Sequence, residues 1–194
     1  MSETMRSFIA IEPSAAIREV LSGLIDTLSQ TSIRGLRLVR PAAIHLTLRF
    51  LGDIRVDQAE SIVDSVSRSI HALPQFDLRI GSPGAFPNGR SPRVLWVGVD
   101  GDLPELAALQ GQMEGALATL GFAREDRPFS PHLTVGRFRE GTPLPDRLRA
   151  AEALHSAAGS PGAGLHVSSI SLMRSTLFPD GAVHKRVASI SLEG

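Results

Sequence analysis

Two stretches carry the side chains best suited to chemistry. They are Arg40-Pro41-Ala42-Ala43-Ile44-His45-Leu46-Thr47-Leu48 and Arg127-Pro128-Phe129-Ser130-Pro131-His132-Leu133-Thr134-Val135. A strand alternates its side chains between two faces, so His45 and Thr47 point one way while Leu46 and Leu48 point the other. His132 and Thr134 obey the same rule. Each copy therefore has an apolar face fit for a core and a polar face carrying an imidazole and a hydroxyl. Two such faces meeting across a cleft make a two-histidine site.

Imidazole titrates near neutrality, so one histidine can take a proton while another, held protonated, gives one up. That pairing suits in-line displacement at phosphorus. In a 2′,3′-cyclic phosphate, a base activates water on one side of phosphorus and an acid protonates the departing ribose oxygen on the other. Threonine hydroxyls two residues away on the same face hold the non-bridging oxygens and supply fixed dipoles where charge develops. No metal is needed for this chemistry. The histidines His45, His71, His132, His155, His166 and His184 form no His-x-x-x-His or His-Glu-x-x-His pair, and no cofactor or metal is expected. No Gly-x-Ser-x-Gly elbow supports a serine triad, and the Gly-rich segments lack the lysine of a nucleotide-binding loop. His71 reads as a cation at a helix end, and His155, His166 and His184 as surface or structural residues.

The elements that must position these side chains are legible in the hydrophobic pattern. Ser7 to Ile11 reads as a buried strand, and Ile17, Val20, Leu21, Leu24, Ile25 and Leu28 as one face of a helix capped by Ser14. A polar connection, with a short strand at Leu36 to Val39, leads to the first His-Leu-Thr strand, which ends near Phe50-Leu51-Gly52. Asp57 with Glu60, and Asp102 with Glu105, have capping-box spacing at the heads of two further helices. Between them lie a strand at Phe76 to Ile80, a Pro/Gly-rich loop from Gly81 to Arg93, and a strand from Arg93 to Val99. After the second His-Leu-Thr strand come a helix (Asp146 to His155), a Gly-rich loop (Gly159 to Gly164), and strands at Leu165 to Met173 and Val183 to Leu192. Pro179-Asp180-Gly181 supplies the turn between those strands.

Phe8 to His45 is 37 residues and Trp96 to His132 is 36, each interval holding a strand, a capped helix, Arg-Pro and His-Leu-Thr. Matching order and spacing over this length marks an internal duplication, at about 6–73 and 93–156, followed by the C-terminal strands 165–192. The expected fold is α+β, residues 1–194 forming a single domain of two pseudo-symmetric lobes. Each lobe is a mainly antiparallel sheet with helices on its outer face, and the active-site cleft lies between them. Arg49 shares the parity of His45 and Thr47 and so points at the cleft on a regular strand. Arg137 has the wrong parity and reaches the cleft only if the strand bulges near Gly136. Phe8 and Phe50 are candidates to stack on a base, although phenylalanines beside buried strands more often belong to the core.

The whole chain sets outer bounds. Acidic and basic residues balance at 20 each, so no global field holds long nucleic acid and any phosphate site must be local. Lys185 is the only lysine, and the other basic residues are arginines, which suit bidentate phosphate contacts. Absence of cysteine removes disulfides, thiolate catalysis and thiolate-held metals. The N-terminal segment lacks the apolar region of a signal peptide, and no run of about eighteen apolar residues exists to span a bilayer. A cytoplasmic protein without a membrane partner is expected, and a monomer.

His45-Leu46-Thr47-Leu48-Arg49-Phe50-Leu51-Gly52 and Arg127 to Arg137 resemble the paired motifs of the two-histidine phosphoesterase superfamily. Within it, the chain is similar to the RNA 2′,3′-cyclic phosphodiesterases, historically called 2′-5′ RNA ligases. The likeness extends to the opening Arg-Ser-Phe-Ile-Ala-Ile-Glu, the Gly-Ala-Phe-Pro of the central segment and Pro-Arg-Val-Leu-Trp-Val-Gly. The resemblance implies metal-independent hydrolysis of an RNA or nucleoside 2′,3′-cyclic phosphate to a 2′-phosphate, with reversible 2′-5′ RNA joining as a side activity. It implies acid–base roles for His45 and His132 and phosphate binding by Thr47, Thr134 and Arg137; which histidine is acid depends on the direction of reaction, and His45 as acid with His132 as base is the expectation for hydrolysis. Phe8, Arg49 and Phe50 are further candidate substrate contacts. RNA ends or small cyclic nucleotides are the implied partners. One departure stands out: relatives often carry Leu-Tyr-Arg-Ser where this chain has Leu172-Met173-Arg174-Ser175. Two alternatives stay open at this level: a non-catalytic RNA-end or nucleotide-binding module, and the same chemistry on 2′-5′ oligonucleotides or an ADP-ribose cyclic phosphate.

Overall fold

The computed structural model describes residues 3–157, 163–179 and 181–193. In chain order the elements are β1 (Thr4–Ile11), α1 (Ala15–Gln30), β2 (Leu36–Leu38), a 3-10 turn (Pro41–Ala43), β3 (Leu46–Arg55), α2 (Gln58–Ile70), β4 (Phe76–Phe86), β5 (Val94–Gly101), α3 (Leu103–Thr119), β6 (His132–Phe138), α4 (Leu144–Ala157), β7 (Gly164–Val167), β8 (Ser169–Phe178) and β9 (Gly181–Ser191). The strands run in the order β7-β4-β5-β6-β3-β1-β8-β9, with β2 attached to β6. Every pairing is antiparallel.

That order is a palindrome of the repeat. Reading outward from the centre, β3-β1-β8-β9 makes one half and β6-β5-β4-β7 the other. The halves join where Leu46 pairs with Leu133, the middle residues of the two His-Leu-Thr motifs. The expected two lobes are present, with their sheets continuous through this one pair. Both leucines are buried in a core shared with α1 to α4, which contribute Leu21, Ile62, Leu109 and Leu154 among others. Fully burying one such leucine contributes about 1.5–3 kcal/mol. Since Leu46 and Leu133 face the helices, His45, Thr47, His132 and Thr134 face the other side of the sheet. Alternation in β1 agrees: Ile9 and Ile11 enter the main core, while Phe8 and Ala10 join Met173 in a small cluster on the opposite face.

Ser14 caps α1 as its sequence suggests, its hydroxyl accepting from the Ile17 amide at 3.3 Å. The two capping boxes do not form. Asp57 is engaged by Arg55, with Nε to Oδ1 at 2.8 Å, and Asp102 accepts from the Asp77 amide at 2.9 Å, tying α3 to β4. A free cation or amide within reach outcompeted each helix's own N–H groups. The Gly81 to Arg93 segment is only partly a loop, because β4 continues to Phe86. Beyond Arg79 β4 has lost β7 and is an edge strand, where Pro83 is tolerated. Gly84 is required there: a Cβ on it would stand 2.3 Å from the Trp96 ring. Likewise, Leu165 to Met173 is two strands. At Ser168 the chain leaves β7, which pairs with β4, for β8, which pairs with β1 in the other half of the strand order. Of the expected loop, 158–162 lies outside the described residues, as does Asp180 of the final turn.

Candidate active site

Antiparallel register through Leu46 and Leu133 sets His45 opposite Thr134 and Thr47 opposite His132 on the face away from the helices. The two histidines are also tied down alike. His45 Nδ1 lies 2.9 Å from the Ala43 carbonyl, and His132 Nδ1 lies 2.7 Å from the Ser130 carbonyl. A carbonyl oxygen only accepts, so Nδ1 of each ring carries the hydrogen. Each neutral imidazole therefore presents Nε2 as its basic nitrogen. The residues before the motifs supply these anchors: Pro41–Ala43 turns the chain before His45, and Pro131 extends it before His132.

Both strands bulge at the same point of the motif. Along β1, Ile9 and Ala10 pair with Arg49 and Thr47, leaving Leu48 extra, and along β5, Leu95 and Trp96 pair with Gly136 and Thr134, leaving Val135 extra. An inserted residue resets the alternation beyond it. The bulge at Val135-Gly136 thus delivers Arg137 to the cleft, as its parity required. The matching bulge at Leu48 delivers Phe50, which is 60% exposed and lines the cleft. Arg49 falls within the bulge and lines the cleft, and its guanidinium is tied back to the fold. Its Nε lies 3.2 Å from Glu114 on α3, its Nη1 donates to Glu125 at 3.0 Å, and its Nη2 donates to the Ala123 carbonyl. Arg49 borders the cleft as its parity suggested, and its guanidinium acts there as a clasp on the chain leading to His132.

Phe8 is also reassigned. It is 2% exposed and stacked on His45, with centroids 4.4 Å apart and planes 28° from parallel, so it supports the imidazole and offers no surface to a base. The register further shifts the correspondence between halves. Ala10, not Phe8, occupies the position of Trp96, because these two pair with Thr47 and Thr134. Met173, standing where relatives often have tyrosine, packs with Phe8 and Ala10 beneath the site.

Between the lobes lies a cavity of about 580 Å3, bounded by Thr47, Phe50, Phe86, Arg93, Arg127, Phe129, His132 and Arg137. Sequence reasoning missed Phe86, Arg93, Arg127 and Phe129. Their signal was position beside the recognised elements, in the central segment and in the approach to His132. A smaller cavity of about 220 Å3 on the far side contains Glu12, which accepts from Ser171 and from Arg186, each at 2.6 Å. Among the described residues, no three His, Asp or Glu side chains gather as a metal-ligand set.

Electrostatics separate the two imidazoles. Burial lowers the pKa of His45 from 6.5 to about 4, with the positive field of His184 adding to it. Burial also lowers that of His132, opposed by the hydrogen bond to Ser130 and assisted by Arg137. His184, read from sequence as surface or structural, is in fact a third ring of the site, 4.8 Å from His45 between centroids. Nothing in its local sequence marked it, because β9 reaches β1 only through β8. His166 stays at the surface beside Asp77 and Gln75.

Residues 9–177 match the family model of the 2′-5′ RNA ligase superfamily. The chain belongs to that superfamily. It is similar to the RNA 2′,3′-cyclic phosphodiesterase of Methanothermobacter thermautotrophicus, 33% identical over 93% of this chain and 95% of the relative. Its likeness to the enzyme of the same name from Archaeoglobus fulgidus is also 33%, over 93% and 97%. Among solved structures, TT0787 of Thermus thermophilus superposes with a TM-score of 0.79 at 26% identity, covering 98% of this chain and 99% of that one. E. coli LigT, solved with 3′-AMP, superposes with a TM-score of 0.74 at 22% identity, over 99% and 100%, and so shares the fold. The superfamily's α+β architecture of two lobes thus holds for this chain.

Proposed function

We propose that the chain hydrolyses RNA or nucleoside 2′,3′-cyclic phosphates to 2′-phosphates, with reversible 2′-5′ joining, in which an RNA 5′-hydroxyl takes the place of water, as a side activity. The observation that carries this reading is the matched anchoring of two histidines on one face of adjoining strands, each with Nδ1 fixed by a carbonyl behind it and Nε2 left free for proton transfer. Water attacks phosphorus and loses a proton to His132. The bond from phosphorus to O3′ breaks, and O3′ takes a proton from His45, leaving a 2′-phosphate and a 3′-hydroxyl. Burial keeps His45 neutral in the free protein, so it takes up a proton from solvent as substrate binds, the phosphate anion favouring imidazolium. In joining, a 5′-hydroxyl replaces water and the roles stand; in cleavage of the 2′-5′ linkage back to the cyclic phosphate the two histidines exchange roles.

Thr47 and Thr134 hold the non-bridging oxygens, and Arg137 neutralises the charge that builds on them. Phe50, exposed at the cleft, is placed to stack on the base. Named relatives at about one-third identity over nearly the full length support the same substrate class. The repeated strand–helix–strand order supports a single two-lobed domain built by duplication. We further infer a cytoplasmic monomer that works without metal; no described helix is long and apolar enough to cross a membrane.

Phosphorus NMR of 2′,3′-cyclic nucleotides and short RNAs ending in a cyclic phosphate, run in chelator, tests this. The expected product is the 2′-phosphate, lost in folded His45→Ala and His132→Ala proteins. A pure binding module would return the cyclic phosphate unchanged, and retained turnover in either variant would overturn the two-histidine mechanism.

A further inference from the structure

His45 sits in a corner made by two rings. Phe8 lies against its face, and His184 from β9 stands at right angles to both, 4.8 Å from His45 and 5.0 Å from Phe8. Being nearly equidistant from two rings that are themselves 4.4 Å apart, His184 lies beside the stack and closes it from the flank. His132 occupies a corner too, but one made of Phe86, at 4.9 Å and 80°, and Trp96, at 5.9 Å. Only the corner of His45 contains a group that titrates. His184 Nδ1 is moreover buried without a hydrogen-bond partner among the described residues. An unsatisfied buried nitrogen is costly, and a phenyl ring would fill the flank without that cost, as Phe86 does at His132.

We propose that His184 is a positioning residue for His45, holding the imidazole against Phe8 and sharing with it, through direct contact, a site that favours a single proton. This rests on the acid–base role given to His45. The charged surroundings agree with it. Arg40, whose Nη2 donates to the Ala182 carbonyl at 3.3 Å, acts on the β9 side and disfavours charge on His184. Glu12 attracts a proton to His45, while His132 and His184 oppose it. Two imidazoles in contact titrate as a pair, the second proton entering against the first. A bound phosphate anion shifts that balance, and the pair gives the lobe of His45 a second proton-accepting ring that the lobe of His132 lacks.

Histidine NMR titration of the full-length protein, alongside pH profiles of kcat/KM, tests this in wild type, His184→Phe and His184→Gln. Both variants remove the charge, and they differ in shape, so either folded variant suffices. Expected is a rise of roughly one pH unit in the His45 midpoint. The limb of the profile belonging to His45 should move with it, and the other limb should stay. An unchanged His45 midpoint overturns the proposal, as does a loss of activity with both limbs in place. The titration reads coupling even in a protein that turns over no cyclic phosphate, so failure of the proposed function is distinguishable from failure of this inference.

Discussion

Leu46 pairs with Leu133, and no other residue pair joins β3 to β6 among the described residues. The relative placement of both histidines and both threonines depends on this contact. Leu46→Ala should destabilise the protein by about 2–5 kcal/mol, as buried leucine truncations do. Leu109→Ala, at an equally buried position in α3, should cost a similar amount. Only Leu46→Ala should also lower kcat/KM at least tenfold in the folded protein, because small misplacement of reacting groups is costly. Urea melts and steady-state kinetics on the two variants check the contrast.

The threonines act on charge that develops during reaction. Thr47→Val and Thr134→Val keep the strand shape and remove a hydroxyl. Each should reduce kcat by about 10- to 1000-fold, with a smaller change in KM. A change confined to KM would place the hydroxyls in ground-state binding instead.

Two arginines of the motifs have opposite duties. Arg137→Ala should lower kcat/KM by about a hundredfold while leaving the melting temperature within a degree or two, since no hydrogen bond ties its guanidinium to the fold among the described residues. Arg49→Ala should show the reverse. It strips Glu114 and Glu125 of their partner and should cost about 1–3 kcal/mol in a denaturant melt.

Acid should unfold the protein in part through His45. Its folded pKa of about 4 lies below the unfolded 6.5, so the unfolded chain binds the proton more readily. Stability from this group is complete above pH 6.5 and is lost as pH falls toward 4. The full difference is about 3 kcal/mol. His45→Phe should flatten the dependence between pH 7 and pH 4.5, measured by urea melts at each pH.

Much of this was legible in the sequence. Periodicity marked the helices, and the repetition of His-Leu-Thr at matching spacing directed attention from two ordinary strands to one candidate site. Arg137 could be placed only conditionally, because a bulge leaves no mark on hydrophobic alternation beyond a glycine that tolerates it. Parity brought Arg49 to the cleft wall but could not show the carboxylates that hold its guanidinium. Position 184 was illegible for a different reason: its neighbours Phe8 and His45 lie 176 and 139 residues away in the chain, and no local rule speaks to such a pairing. Phe8 was misjudged because parity gives the face of a sheet, not whether another ring already covers it.

The meeting of Leu46 with Leu133 is the geometry of an isologous dimer, in which a residue near the two-fold axis touches its own copy. Two identical chains joined in this way would be bound to furnish both ends of a displacement identically. Carrying both halves on one chain removes that obligation. The bulges, kept at equivalent places, open onto Phe50 on one side and Arg137 on the other. A reaction whose attacking and departing oxygens differ is thereby met by a cleft whose two walls differ as well.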